Sequence, residues 1–202
     1  MSGKRTSRIL GLITIVAIIV CICIFIFSFT NSNIGPCTTY ECDVKFDFYT
    51  TINIQKQGED FAKIKGEKVV FKEYHDPLTM YSMDGEKIGY AGDSYHLISQ
   101  DSHSIILNGE VSAEMVGLVR LFGEAYDIYD ASGNKIAHAD FNPFNTEGEL
   151  KDTEGNIIAD YSSIFFFRDY TVRIKDNCPL DENTVMLIFA SYYSDQHADN
   201  GD

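Results

Sequence analysis

Five histidines, three cysteines beyond an N-terminal apolar run, and an acidic turn that occurs three times are the groups here that could do chemistry. The histidines are His75, His96, His103, His138 and His197. No two of them make the i, i+4 pair with which a helix holds zinc. His96 and His103 are spaced to face one another across a hairpin, with Asp101 between them. Lone surface or core histidines are the simpler expectation, and His75-Asp76-Pro77 reads as a turn.

A cysteine nucleophile needs a base and an electropositive setting. Cys178 lies in sequence beside Asp176, Asp181 and Glu182, which oppose thiolate formation. Two pairings are open: Cys37 with Cys42, leaving Cys178 over, or Cys178 with one of them. Three thiols cannot all pair within one chain. Cys21 and Cys23 sit inside the apolar run and behave as small apolar residues. There is no Gly-x-Ser-x-Gly elbow and no phosphate-binding Gly-Lys-Ser/Thr loop. Thirty acidic residues guarantee some carboxylate pairs by chance, and nothing selects one as a glycosidase pair. No residue is therefore assigned as catalytic, cofactor-binding or metal-ligating, and no cofactor is expected.

The acidic turn occurs at Tyr81–Gly89 (YSMDGEKIG), Ile128–Ala137 (IYDASGNKIA) and Leu150–Ala159 (LKDTEGNIIA). Each copy has an apolar strand end, an Asp, a Gly within the turn and an apolar strand closing on a small residue. Glycine supplies the positive φ that such turns need, and Asp can bond its own backbone two residues on. A calcium loop needs acids at several alternating positions and a Glu at the twelfth, so these read as hairpin turns.

The elements around them are mostly strands. Val44, Phe46 and Phe48 alternate with Lys45 and Asp47, the period of a half-buried strand. Val69-Val70-Phe71 and Ser104–Leu107 are short apolar runs, and Asn108-Gly109 after the second predicts a two-residue hairpin. Ser163–Lys175 reads as one or two buried strands, with Tyr170, Val172 and Ile174 on one face. Val185–Tyr193 is apolar on every side, so it must be buried on every side. Asp181 can cap a helix there and Glu182 suits its first turn, but propensity leaves helix and strand both open.

Upstream, Ile9–Phe29 is 21 residues without a charge, preceded by Lys4, Arg5 and Arg8. As a helix it spans about 31 Å, the thickness of a hydrocarbon core. No basic residue follows until Lys45, so the positive-inside rule puts residues 1–8 in the cytoplasm and the rest outside the cell membrane. The competing reading is a cleaved secretory signal, whose apolar core is shorter and ends in small residues. The uncleaved signal-anchor fits better, and both readings export the domain.

All 30 acidic residues but only 13 of the 16 basic ones lie beyond the anchor, a formal charge of −17. That field repels nucleic acid and anionic headgroups. Eleven of the 14 Phe and all 12 Tyr lie beyond the anchor, enough to build an aromatic core. The expected organisation is a basic N-terminus (1–8), a transmembrane helix (9–29), a polar linker (30–42), a β domain (43–195) and an acidic tail (196–202). Asp195 is expected at the exposed end of the last element, where its removal costs little.

The hairpin run, the strand Asp169–Ile174 (DYTVRI), then Asp181 and a fully apolar closing segment resemble the tubby-like C-terminal domain superfamily. The LURP-one-related branch is nearest, with phospholipid scramblases more distant. The resemblance covers about Val44–Asp195. It implies a closed antiparallel barrel of about twelve strands around a central hydrophobic C-terminal helix, with Val185–Tyr193 as the rod. Tubby proteins bind phosphoinositides through a basic pocket, and the few scattered basic residues here do not repeat that pattern.

The functional expectation is a membrane-anchored, extracytoplasmic binding or scaffolding module, non-enzymatic, with an envelope protein or lipid as ligand. The alternative is a lipid-interacting membrane protein of scramblase or tubby type. A hydrolase of envelope material is the weakest reading and requires a concave pocket with converging acids or histidines.

Overall fold

The structure, a computed structural model, describes residues 34–46, 50–66, 77–93, 102–121, 123–142, 146–163 and 169–198. The predicted span Ile9–Phe29, the runs Val69–Phe71 and Ile164–Arg168, and Phe48 lie outside them. Among the described residues no helix is long and apolar enough to cross a membrane.

Twelve strands follow in order: β1 (Cys37–Phe46), β2 (Thr50–Lys56), β3 (Glu59–Gly66), β4 (Leu78–Ser82), β5 (Lys87–Asp93), β6 (Ser102–Leu107), β7 (Glu110–Leu118), β8 (Glu124–Tyr129), β9 (Lys135–Phe141), β10 (Glu147–Asp152), β11 (Ile157–Ser163) and β12 (Tyr170–Lys175). One helix, α1 (Glu182–Ala198), ends the chain. Each strand pairs antiparallel with its sequence neighbours, and β1 pairs with β12 to close the barrel. Closure leaves no sheet edge to recruit another chain. The mainly β fold class, the twelve-strand closed barrel and the C-terminal helix match expectation.

Side-chain alternation is the local cause of the strands. In β12, Tyr170, Val172 and Ile174 are buried while Thr171, Arg173 and Lys175 face outward. Tight turns then set the pairing register. Asn108-Gly109 turns with φ of 52° and 86°, and Gln57-Gly58 repeats this conformation with 53° and 84°. Positive φ at both positions matches the right-handed twist of a hairpin.

The three repeated turns link β4–β5, β8–β9 and β10–β11. Asp130 Oδ1 accepts from Ser132 N at 2.9 Å and Asn134 N at 2.8 Å. Asp152 Oδ1 accepts from Glu154 N and Asn156 N, both at 2.9 Å. In the first copy Ser82 takes this place, its Oγ accepting from Glu86 N at 3.1 Å. Asp84, the acid singled out there by sequence, occupies a different turn position. All five hairpins at this end carry a register shift beside the turn. Such bulges increase local twist, which a sheet needs to curl shut.

The barrel therefore has two unlike ends. The hairpin end holds these five turns of two to five residues, together with the link from β12 to α1. The opposite end, the loop end, holds the other six connections, the longest spanning residues 67–77 between β3 and β4. β1 starts at the hairpin end, because Cys37 pairs with Lys175.

α1 fills the interior. Val185–Ala190 and Tyr192 are fully buried, and Ser191 and Tyr193 nearly so. A helix apolar on every side is stable only when walled on every side, and the barrel provides that wall. Phe189 meets Phe141 of β9 edge-on and stacks on Tyr161 of β11. Tyr192 stacks on Phe141, and Tyr193 on Tyr170 of β12. Gly148 of β10 leaves room for the Phe141 ring, which a Cβ there would approach to 2.3 Å.

The helix start is fastened to the hairpin end. Asp181 Oδ1 accepts from Asn183 N at 2.8 Å, the capping role predicted for it. Glu182 receives the Tyr40 hydroxyl and, at 2.7 Å, Lys56 Nζ. Thr184 Oγ1 lies 2.6 Å from Ser112 Oγ of β7.

Several sequence expectations need correction. The linker does not run to Cys42, because β1 begins at Cys37 and Ile34 is already buried. The polar residues of that stretch read as linker-like, but β12 supplies a pairing partner for every residue from Cys37 to Cys42. The helix continues to Ala198, past the expected tail boundary. Cys37, Cys42 and Cys178 are all free thiols, so neither disulfide pairing is formed. Cys37 and Cys42 lie five residues apart on one extended strand, about 16 Å, far beyond disulfide reach.

Candidate functional site

The loop end places the closest arrangement to a reactive site inside the barrel mouth. His103 of β6 lies on the strand face shared with buried Ile105. Its Nε2 is 2.8 Å from Asp195 Oδ2 in the last turns of α1. Both side chains are at least nine-tenths buried. This corrects the expectation that Asp195 is exposed: the helix is walled from Thr184 to Tyr193, and Asp195, two residues on, is still buried against the wall.

Tyrosines line the same region. Tyr126 donates to Glu124 Oε2 at 3.0 Å. Burial pushes the Tyr192 hydroxyl well above the usual phenol range, with nearby Glu124, Tyr161 and Asp195 adding to it. Burial also raises Tyr161 and Tyr170, and it pushes the Cys42 thiol up to about 12. These groups stay neutral at ordinary pH.

A base held by a carboxylate is two-thirds of a hydrolytic triad. Ser191 stands one helical turn before Asp195, but its buried Oγ makes no hydrogen bond. The nucleophile–base contact that acyl transfer requires is thus not formed there. Among the described residues no group of three or more His, Cys, Asp or Glu side chains is arranged to hold a metal.

A second polar cluster crosses the outer face of β8, β9 and β10. His138 Nδ1 lies 2.6 Å from Asp127 Oδ1, and its Nε2 lies 3.2 Å from Asp140 Oδ1. Lys135 reaches Asp127 at 2.6 Å, Arg120 reaches Asp140 at 2.6 Å, and Lys151 bridges Asp140 and Glu149. For Asp127 burial works upward, but hydrogen bonds from Lys135 and His138 prevail and lower the carboxyl. Asp140 is lowered likewise, with Lys151, His138 and Arg120 outweighing burial. Opposite charges in neighbouring strands neutralise one another, so this cluster stabilises the wall.

The remaining sequence candidates do not converge. His75, His96 and Asp101 lie outside the described residues, as does the side chain of His197. The turn aspartates bind their own backbones. Cys178 packs against the core, and burial raises its thiol. The His103–Asp195 pair was missed by sequence reading, although His103 shares strand parity with Ile105. That parity alone marks it as inward-facing and in need of a polar partner.

No family model matches this chain. No curated protein matches it. No solved structure matches it either.

Proposed function

We propose that this protein is a membrane-anchored, extracytoplasmic binding or scaffolding module, single-pass, with its N-terminus in the cytoplasm. One observation carries the reading. A filled barrel follows an uncharged 21-residue run flanked on one side by basic residues. With α1 occupying the interior, the outer wall and the two ends are what the domain offers to a ligand. The buried His103–Asp195 pair joins a wall strand to the central helix, which fits a structural tie better than a catalytic one.

The strand number, the closure by β1 and β12, and the terminal helix support kinship with the tubby-like superfamily and its LURP-one-related branch. A fold does not carry an activity with it, so function is argued from surfaces.

The anchor is tested by alkaline extraction of membranes together with labelling of Cys37, which is half-exposed at the barrel's hairpin end. A membrane-impermeant maleimide should label Cys37 in intact cells, and the protein should stay with the membrane after the wash. Labelling only after lysis would reverse the topology. The binding role is tested by crosslinking in intact cells and mass spectrometry. A barrel that crosslinks to neither polypeptide nor lipid overturns it.

A further inference from the structure

The barrel gathers Lys63, Lys65 and Lys87 onto one outer wall. Lys63 and Lys65 stand on the outward face of β3, since their neighbours Ala62 and Ile64 are buried in the core. Register sets Tyr81 of β4 beside Lys63 on one side and Lys87 of β5 on the other. Lys65 Nζ lies 5.6 Å from the centre of the Tyr81 ring, and Lys87 Nζ lies 4.9 Å from that of Tyr90. The Tyr90 ring runs along its own strand over Gly92, where a Cβ would come within 2.5 Å of the hydroxyl.

These three ammonium groups are uncompensated. Lys45, Lys56, Lys135 and Lys151 each pair with an acid. Among the described residues Lys63, Lys65 and Lys87 pair with none. A tyrosine ring attracts an ammonium and holds it without cancelling its charge. The strand segments Thr51–Gln55, Ala62–Lys65, Leu78–Ser82 and Lys87–Gly92 contain no Asp or Glu. Acids return at the borders, with Glu41 and Asp43 on β1, Glu114 on β7, and Asp84 and Glu86 in the β4–β5 turn. The enclosed helix is about 10–12 Å across with its side chains, so acids on the opposite wall lie beyond a Debye length of about 8 Å. In a chain of formal charge −14, this wall is a local site for an anion.

The geometry selects among anions. Anionic bilayers recruit clusters of about four to eight basic residues. Here there are three, and Lys63 and Lys87 lie two strands apart on a closed wall that curves away from a plane. Single-stranded nucleic acid needs open rings on which its bases stack, and here lysines lie over the rings. An extended polypeptide presents alternate side chains on one face every 6.5–7 Å or so, about the spacing of Lys63 and Lys65 along β3. Barrel closure leaves no sheet edge, so such a segment is gripped through side chains. We infer that this wall binds an extended acidic polypeptide segment, with alternate carboxylates on Lys63 and Lys65 and another on Lys87. The inference rests on the binding-module reading and names the chemistry of its partner.

The test follows the fluorescence anisotropy of a labelled peptide of alternating Glu and Ser, titrated with the full chain in phosphatidylcholine nanodiscs. Binding is expected, weakening as ionic strength rises. The same peptide with Gln for each Glu should not bind. Lys63→Gln/Lys65→Gln should weaken binding about 2- to 30-fold, the loss of two exposed ion pairs. Lys87→Gln, on a separate strand, should weaken it too. Lys45→Gln/Lys175→Gln changes the net charge equally and should leave binding unchanged. Absence of Glu-peptide binding, or equal weakening by both double variants, overturns the inference. Binding to phosphatidylserine vesicles in place of the peptide does so as well. Crosslinking in intact cells separates this from the broader reading. A polypeptide partner that Lys63→Gln/Lys65→Gln captures as well as the wild type keeps the binding module and overturns the assignment of this wall.

Discussion

His103 and Asp195 join the wall of the barrel to the far end of its central helix. The imidazole Nε2 and a carboxylate oxygen lie 2.8 Å apart, both buried, across 92 residues of sequence.

Asp195→Ala is therefore expected to destabilise the domain. Leaving a buried polar partner unsatisfied costs about 1–3 kcal/mol. Urea unfolding should show the midpoint falling by that amount. The double variant His103→Leu/Asp195→Leu should cost less than the sum of the two single variants, because the two groups bond one another. A midpoint unchanged in Asp195→Ala would show that the pair contributes nothing.

Phe189 tests the core. Phe189→Ala removes a ring packed between Phe141 and Tyr161 and is expected to cost about 3–5 kcal/mol. Phe189→Asp puts a charge where no described cation faces it and should abolish cooperative unfolding altogether. Circular dichroism melts of both variants check this. Similar melts for Phe189→Asp and the wild type would disprove the buried-rod arrangement.

The thiols should differ in reactivity. Cys42 is buried and its thiol is raised to about 12, while Cys37 is half-exposed. Brief iodoacetamide treatment at pH 8 should modify Cys37 and spare Cys42 until denaturant is added. Peptide mass spectrometry gives the order directly.

Acid stability follows from the outer-wall carboxylates and from Glu182. Asp127, Asp140 and Glu182 have folded-state values below their ordinary ones, despite burial acting the other way. The unfolded chain therefore binds protons first as pH falls. The stability these groups contribute is complete above their ordinary values, near pH 4–5, and is lost as pH drops through the lowered folded values. Unfolding midpoints should be flat from pH 7 to 5 and decline below about pH 4. Asp127→Asn should be less stable than wild type at pH 7 and show a shallower acid decline. An equally steep decline would remove Asp127 from the account.

Gly109 sits at φ 86°, where a Cβ is strained whatever the space around it. Gly109→Ala should cost about 1–2 kcal/mol. Gly66→Ala should cost less, since Gly66 lacks that backbone constraint and its nearest neighbour would lie 3.4 Å away. Paired denaturation curves compare the two.

Much of the architecture could be read locally. The alternation of Tyr170, Val172 and Ile174, the Asn108-Gly109 turn, and the cap at Asp181 all depend on residues within a few positions of one another. Each appears in the structure where sequence placed it. The Gln57-Gly58 hairpin was missed because glutamine gives no turn signal of its own. Ser82 was passed over for Asp84 because the repeat was read by residue type and not by distance from its glycine.

By itself the sequence determined that strands alternate, that glycine turns punctuate them, and that Val185–Tyr193 must be enclosed. These follow from side-chain period, backbone sterics and the exclusion of apolar surface from water. Tertiary structure alone decided that β1 starts at Cys37, that no disulfide forms, and that His103 meets Asp195. Those outcomes depend on β1 closing against β12 around α1, a pairing between chain ends that no local pattern records.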